Sequence, residues 1–288
     1  MKTQPLAYDK LSKTASIIWL LIAYVFATWI FFLATVLFDK LGPLLAVLIA
    51  DVAATLVIFA FSLGFDNTSV YDPYWSVAPL WIIITWMSKF GGAVTFRQGL
   101  VTSLILLWAV RLTVNCVQRW RGMGHEDWRY AGFRPLKAYW LVSLAGLQFM
   151  PTIIVLTACL PLLTVFRPGS TPLNWIDAVA FAVTSGAILL ETLADRELRM
   201  ASGKKGELIT SGVWNWFRHP NYAGEVSFWW GLALFGMAAG SEFWALSGPV
   251  AMTLLFIFIS VPMMDRRMKT RYKSYESHIE SLPFHPFL

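Results

Sequence analysis

Apolar runs divide this chain, and nothing else constrains its fold as strongly. A bilayer-spanning helix needs about 20 apolar residues. Candidate runs are Ile17–Phe38, Leu44–Leu63, Val77–Met87, Leu100–Val117, Tyr139–Val165, Trp175–Leu193, Tyr222–Met237 and Phe243–Met264. The third is short, so seven or eight transmembrane helices are expected. Pro151 and Pro161 in the fifth predict a kink or break. Hydrophobic residues make up 57% of the chain and charged ones 14%, against roughly 25% charged in soluble proteins. Disorder and repeat architectures are excluded. The expectation is an all-α, polytopic membrane helix bundle forming one membrane-embedded domain over 1–288. Its first two spans occupy 1–64, and no linker is visible. Ile17–Phe38 lacks a small-residue cleavage site and reads as an anchor helix.

Basic residues set the sidedness. One cluster, Arg119 to Lys137, follows span four. A second, Arg196 to Arg218 with Lys204 and Lys205, lies between spans six and seven, and a third, Arg266 to Lys273, follows span eight. A pair of spans separates each cluster from the next, so all three are expected on one face, which the positive-inside rule makes cytoplasmic. Lys2, Lys10 and Lys13 agree if the third run spans. The opposite face is nearly bare, with Glu242 between the last two spans. The net charge of +6 therefore reads as topology and contact with membrane lipids, not as a nucleic-acid surface.

The stretch GVWNWFRHPNYAGE, Gly212 to Glu225, crosses from a basic loop into the seventh span. Pro220 suits the first turn of a helix. Asn221 and Glu225, four apart, share one face of it. Arg218 and His219 stand beside the free N–H groups of its first turn, a ready anion site. A carboxylate and an amide leading into apolar sequence are costly unless something binds there, so this stretch is a candidate cofactor clamp. In span four, Arg111, Asn115 and Arg119 form a polar stripe. Ionisable residues within a span face a bundle interior or cavity, although Arg111 can equally snorkel to the interface. Span six ends in Glu191, Asp195 and Arg199. Pairing of the last two explains those residues, but not the deeper Glu191, for which Arg111 or Arg218 are available partners.

Two loops and the tail complete the inventory. In VYDPYWS, Asp72-Pro73 signals a turn, and Tyr74 near a carboxylate can act as a general acid. GMGHEDWRYAGFR reads either as solvated surface or as part of a site. The tail, with Arg267, Arg271, Tyr272 and Tyr275, reads as an interfacial amphipathic helix. No nucleotide-binding glycine loop, zinc-peptidase motif or nucleophile elbow is present. His125, His219, His278 and His285 show no metal spacing, and Cys116 and Cys159 read as small hydrophobes, so no metal is expected.

Taken together, RHPNYAGE preceded by Gly212 and Trp214, W-x-x-R-L at Trp108–Leu112, G-x-E-D-x-R-Y at Gly124–Tyr130, Ala194-Asp195 and the D-P-Y-W of Asp72–Trp75 resemble the steroid 5-alpha-reductase family. The similarity is to its bacterial DUF1295 branch, from about residue 65 onward. The resemblance implies a reductase that binds NADPH near the cytoplasmic face and saturates an activated C=C bond of a lipophilic, steroid-like or isoprenoid-like substrate. It gives the cofactor contacts to Arg111, Asn115, Arg119, Asp195, Arg199, Trp214, Arg218, His219, Asn221, Tyr222, Glu225, Arg267, Arg271 and Tyr275. Asn221 and Glu225 would hold the nicotinamide end, and the basic loop and tail the phosphates and adenosine. Asp72 and Tyr74 would be the acid and tyrosine that meet the substrate carbonyl, with Asp in place of the familiar Glu. A monomer is the expected state.

The R-H-P-x-Y signature also occurs in isoprenylcysteine and phospholipid methyltransferases, which use S-adenosylmethionine and usually carry paired Glu residues late in the last span. Here a single acid, Asp265, precedes Arg266-Arg267, which suits a phosphorylated dinucleotide better than a sulfonium. A lipid-binding or transport protein is the third alternative, without the inverted repeats that would favour it.

Overall fold

The computed structural model describes residues 11–201 and 207–283. Lys2, Lys10, Lys204, Lys205 and His285 lie outside the described residues. Among the described residues the fold is helical throughout, without strands. The helices are α1 (Lys13–Leu37), α2 (Pro43–Gly64), α3 (Tyr74–Phe90), α4 (Phe96–Arg119), α5 (Tyr139–Phe166), α6 (Trp175–Ala201), α7 (Pro220–Ala238), α8 (Phe243–Arg271) and the short α9 (Tyr275–Glu280). Six of them, α1, α2, α4, α5, α6 and α8, are long and apolar enough to cross a membrane, so this is a multi-pass helical membrane protein. The 17 residues of α3 reach about 26 Å at ~1.5 Å per residue, a little under the ~30 Å hydrocarbon core. In α7, Asn221 and Glu225 lower the apolarity of an otherwise sufficient 19 residues.

The break expected in α5 is a change of winding. A π-helical segment, Ser143–Phe149, lies directly before Pro151. Widening that turn relieves the clash of the proline ring with the carbonyl of Leu147 and absorbs the missing N–H. Pro161 sits inside the same helix. Helices α4, α6 and α8 continue past the apolar runs to Arg119, Ala201 and Arg271, which puts the basic residues on helix ends.

The chain divides into two compact units, Met1–Ala93 with Trp108–Leu156, and Val94–Leu107 with Thr157–Leu288. In the first unit α1 and α2 pack together. Each buries a stripe of alanines, Ala23, Ala27 and Ala34 on one and Ala46, Ala50 and Ala54 on the other. Small residues allow the close backbone approach that drives helix association in lipid. At one end of this unit Lys89 pairs with Asp39, and the Trp86 indole donates to the Pro43 carbonyl, 3.3 Å.

In the second unit α6 and α7 form the most intimate pair. Gly224 and Gly231, two turns apart on one face of α7, lie against Glu191 and Thr184 of α6. A Cβ on Gly231 would stand 2.2 Å from the Thr184 hydroxyl. Arg97, 4% exposed, closes one end of this unit. It donates from Nε and Nη2 to the Asp177 carboxylate at 2.6 and 2.7 Å, and to the carbonyls of Thr171, Pro172 and Ala238. Phe96, Trp175 and Phe243, at or near the helix starts gathered at this end, are strongly exposed, the position of an interfacial aromatic belt.

Candidate functional site

Asp72 and Tyr74 do not form the pair expected of them. Both Asp72 and Pro73 are in αR conformation, so positions 72 and 74 lie about 200° apart around the helical path, and residues two apart do not face each other. The Asp72 carboxylate turns to the loop after α4. There Tyr130 donates to Oδ1 at 2.5 Å and Arg129 from Nη2 at 3.2 Å. Burial raises the Asp72 carboxyl above the usual carboxylate range, against the opposing pull of Arg129 and the Tyr130 hydroxyl.

Tyr74, 1% exposed, points instead at α2. Its hydroxyl donates to Asp51 Oδ1 at 2.7 Å, with the Asp51 carbonyl at 3.1 Å. Asp51 is fully buried, and its Oδ2 has no hydrogen-bond partner among the described residues. Thr55, one turn further along α2, meets Thr152 of α5 at 2.9 Å, and Thr152 meets the Tyr71 hydroxyl at 2.7 Å. The Tyr71 and Tyr74 rings stack with centroids 5.1 Å apart. Asp51 escaped the sequence reading, although an acid in the middle of an apolar span is the same signal that singled out Arg111 and Asn115.

The Gly124–Tyr130 motif stitches the first unit. Glu126 accepts from the Thr68 amide, 2.7 Å, the Tyr139 hydroxyl, 3.0 Å, and Arg134 Nε and Nη2, both 2.7 Å. The Asp127 amide donates to Ser69 Oγ, and the Asn67 amide side chain to the Met123 carbonyl. The loop 67–71 is thereby buried with its polar groups satisfied. Along α4, Arg111 is half-buried, Asn115 buried and Arg119 exposed. Thr113 on the same helix meets Ser76 of α3 at 2.8 Å.

In the second unit three candidates, Arg218, His219 and Tyr275, meet at a residue given no role above. Asp265 of α8, 6% exposed, accepts from Arg218 Nε at 3.0 Å and pairs with Arg218 Nη2. His219 Nε2 lies 2.9 Å from its Oδ1, and the Tyr275 hydroxyl donates to it at 2.6 Å. Burial, and then the charge of Arg218, lower His219 to about 3, so the imidazole is neutral at physiological pH. Burial raises Tyr275. The Tyr222 ring lies 5.2 Å from His219. Arg218 and His219, expected as an open anion site, are thus built into a carboxylate-centred cluster. Two of the partners of Asp265, His219 and Arg218, are 46 and 47 residues away, beyond the reach of any local pattern.

Around this cluster the Trp214 indole donates to the Ala194 carbonyl at 3.3 Å, and His278 Nε2 reaches the Trp214 carbonyl at 3.2 Å. Gly212 has φ 63, left-handed backbone that favours glycine, and a Cβ there would displace the Glu197 carboxylate, 2.1 Å away. Asp195 is buried beside Ala194, whereas Arg199 is exposed. Asn221 is half-buried in the first turn of α7, and the Glu225 carboxylate accepts from the Trp229 indole at 2.9 Å. In the tail, Arg267 is half-buried, and exposed Arg271 lies over the Tyr272 ring at 5.3 Å. Tyr275 and Ile279, the apolar side of α9, are buried within the protein and do not form an open face for headgroups. Among the described residues no group of three or more His, Cys, Asp or Glu forms a metal site.

A family model described as a protein of unknown function, DUF1295, matches residues 58–280. An uncharacterized protein of Schizosaccharomyces pombe is 22% identical over 214 residues, covering 65% of this chain and 62% of its own length. No solved structure matches.

Proposed function

Since the chain belongs to the DUF1295 family of proteins of unknown function, we propose from that premise a membrane oxidoreductase that reduces the activated double bond of a lipophilic enone with NADPH. The observation that carries this reading is the buried Tyr74–Asp51 pair, 2.7 Å apart, whose second carboxylate oxygen has no partner among the described residues. Reduction at the β carbon puts negative charge on the carbonyl oxygen, and a donor held ready in a dry site stabilises it. Tyr74 is that donor. With substrate bound, its single O–H turns from Asp51 to the carbonyl oxygen, while Asp51, protonated, donates to the phenol oxygen and takes the orienting role expected of Asp72. Asp51 lies well inside α2, about 12 Å from its start at ~1.5 Å per residue. An apolar molecule carrying one carbonyl suits that depth, and a charged headgroup does not.

When bound, NADPH supplies the hydride. In the second unit Arg218, Arg199, Arg267 and Arg271 would hold its anionic groups, a set better suited to a phosphorylated dinucleotide than to a sulfonium. Trp214, Asn221, Tyr222, Glu225, Asp195, His219 and Tyr275 would complete that unit's contacts. Arg111, Asn115 and Arg119 share the role by resemblance to the reductases. The cytoplasmic placement of the basic loops belongs to the same proposal.

The test is NADPH oxidation by purified protein in lipid nanodiscs supplied with a panel of enone lipids. Tyr74→Phe and Asp51→Asn should each lower turnover about a hundredfold while NADPH affinity stays within about twofold. Unchanged turnover in Tyr74→Phe would remove the reading. Methylation of a lipid acceptor from S-adenosylmethionine would favour the methyltransferase instead.

A further inference from the structure

Arg218 is held on one side only. A guanidinium has five N–H donors in a rigid fork. Asp265 takes two of them, from Nε and Nη2, and the only other contact among the described residues is with the Tyr275 hydroxyl. At least two donors therefore remain, on a side chain 21% exposed. The carboxylate that binds the inner edge is itself buried and fixed by His219 and Tyr275, so α8 and α9 together set the direction of the outer edge. A free arginine loses rotamer freedom when it captures an anion, whereas one clamped along its Nε edge has already lost it.

We infer that Asp265 is a positioning residue, which clamps Arg218 so that the outer edge of the guanidinium receives a phosphate or diphosphate group. This inference rests on the nucleotide reading above for the identity of the ligand, not for the geometry. Two effects of the carboxylate oppose each other. Its charge weakens the attraction of Arg218 for an anion, and its hydrogen bonds orient the donors that bind it. The charge is shared among four donors on three side chains, so the second effect dominates.

The experiment compares wild type with Asp265→Asn, Asp265→Glu and Arg218→Lys, with gel filtration confirming that each is folded. Binding of NADPH and of inorganic pyrophosphate is measured by calorimetry at one ionic strength. Asp265→Asn should weaken both by about tenfold, with kcat at saturating nucleotide within about twofold. Asp265→Glu should recover part of the affinity. Arg218→Lys should lose as much as Asp265→Asn, because an ammonium cannot be clamped by two parallel bonds. Binding by Asp265→Asn equal to or tighter than wild type would overturn the inference and make Asp265 a competitor of the ligand. If wild type binds pyrophosphate but not NADPH, with the variants ranked as above, the inference stands and the NADPH reading falls. If wild type binds neither, the inference falls as well.

Discussion

Tyr74→Phe isolates one hydrogen bond at the centre of the first unit. The substitution leaves the ring in place. Its stack on Tyr71 at 5.1 Å and its edge contact with Trp81 at 5.6 Å persist, so little packing is lost. What disappears is the donor 2.7 Å from Asp51 Oδ1. The Asp51 Oδ2 already has no partner among the described residues, and the side chain is fully buried. Stranding a buried polar group costs about 1–3 kcal/mol, more if it is charged, and the expected loss is about 2–3 kcal/mol. Replacing both groups by apolar ones removes the unmet demand, so Asp51→Leu with Tyr74→Phe should be less destabilising than the sum of the two single changes by about 2 kcal/mol. Reversible unfolding in mixed detergent–SDS micelles, read by tryptophan fluorescence, gives the double-mutant cycle. A Tyr74→Phe loss under about 0.5 kcal/mol, or a cycle additive within that margin, would show that the pair is not coupled as described.

Other consequences follow from the packing and the charges. Gly231→Leu must push α6 from α7, since even a Cβ would stand 2.2 Å from Thr184 Oγ1 and 3.0 Å from its amide nitrogen; monodisperse protein should be lost, and a normal gel-filtration profile would contradict the packing. Arg97→Met strands Asp177, now 6% exposed, and should cost about 3–5 kcal/mol, whereas Arg97→Met with Asp177→Leu should recover most of it in the same unfolding assay. His219 is neutral in the folded protein, with its value lowered from 6.5 to about 3. The unfolded chain binds its proton below about 6.5, so the stabilisation is complete above that pH and is lost as pH falls toward about 3. Between about pH 7 and pH 5 this amounts to about 2 kcal/mol, and His219→Gln should remove that part of the pH dependence; an unchanged profile would mean that His219 is not held neutral.

The membrane architecture was legible because apolar length is a property of single segments. The runs at Ile17–Phe38 and Leu44–Leu63 became α1 and α2 with their ends displaced by a few residues. The apolar runs were drawn to Leu193 and Met264, whereas α6 and α8 continue to Ala201 and Arg271, because hydropathy falls before the hydrogen-bond ladder does. The site was less legible because its bonds join distant residues. Asp72 and Tyr74 invited pairing by adjacency, and helical geometry sends them to Tyr130 and Asp51 instead. Asp265 counted only as a single acid where the methyltransferases carry paired Glu, and α8 carries it to Arg218 and His219. By contrast, Trp214, Arg218, His219, Tyr222 and Tyr275, chosen from a motif and a loosely aligned tail, do gather in one unit.

The central claim is the cofactor, and the most direct measurement is equilibrium stabilisation of the detergent-purified protein by NADPH, NADH and S-adenosylmethionine at one ionic strength. Only a ligand of the native state raises the unfolding free energy by mass action, by about 2.7 kcal/mol at a hundred times its Kd. NADPH should stabilise the protein, NADH should do so only at higher concentration because it lacks the 2′-phosphate that arginines grip, and S-adenosylmethionine should have no effect. Stabilisation by S-adenosylmethionine, or by none of the three, would contradict the account.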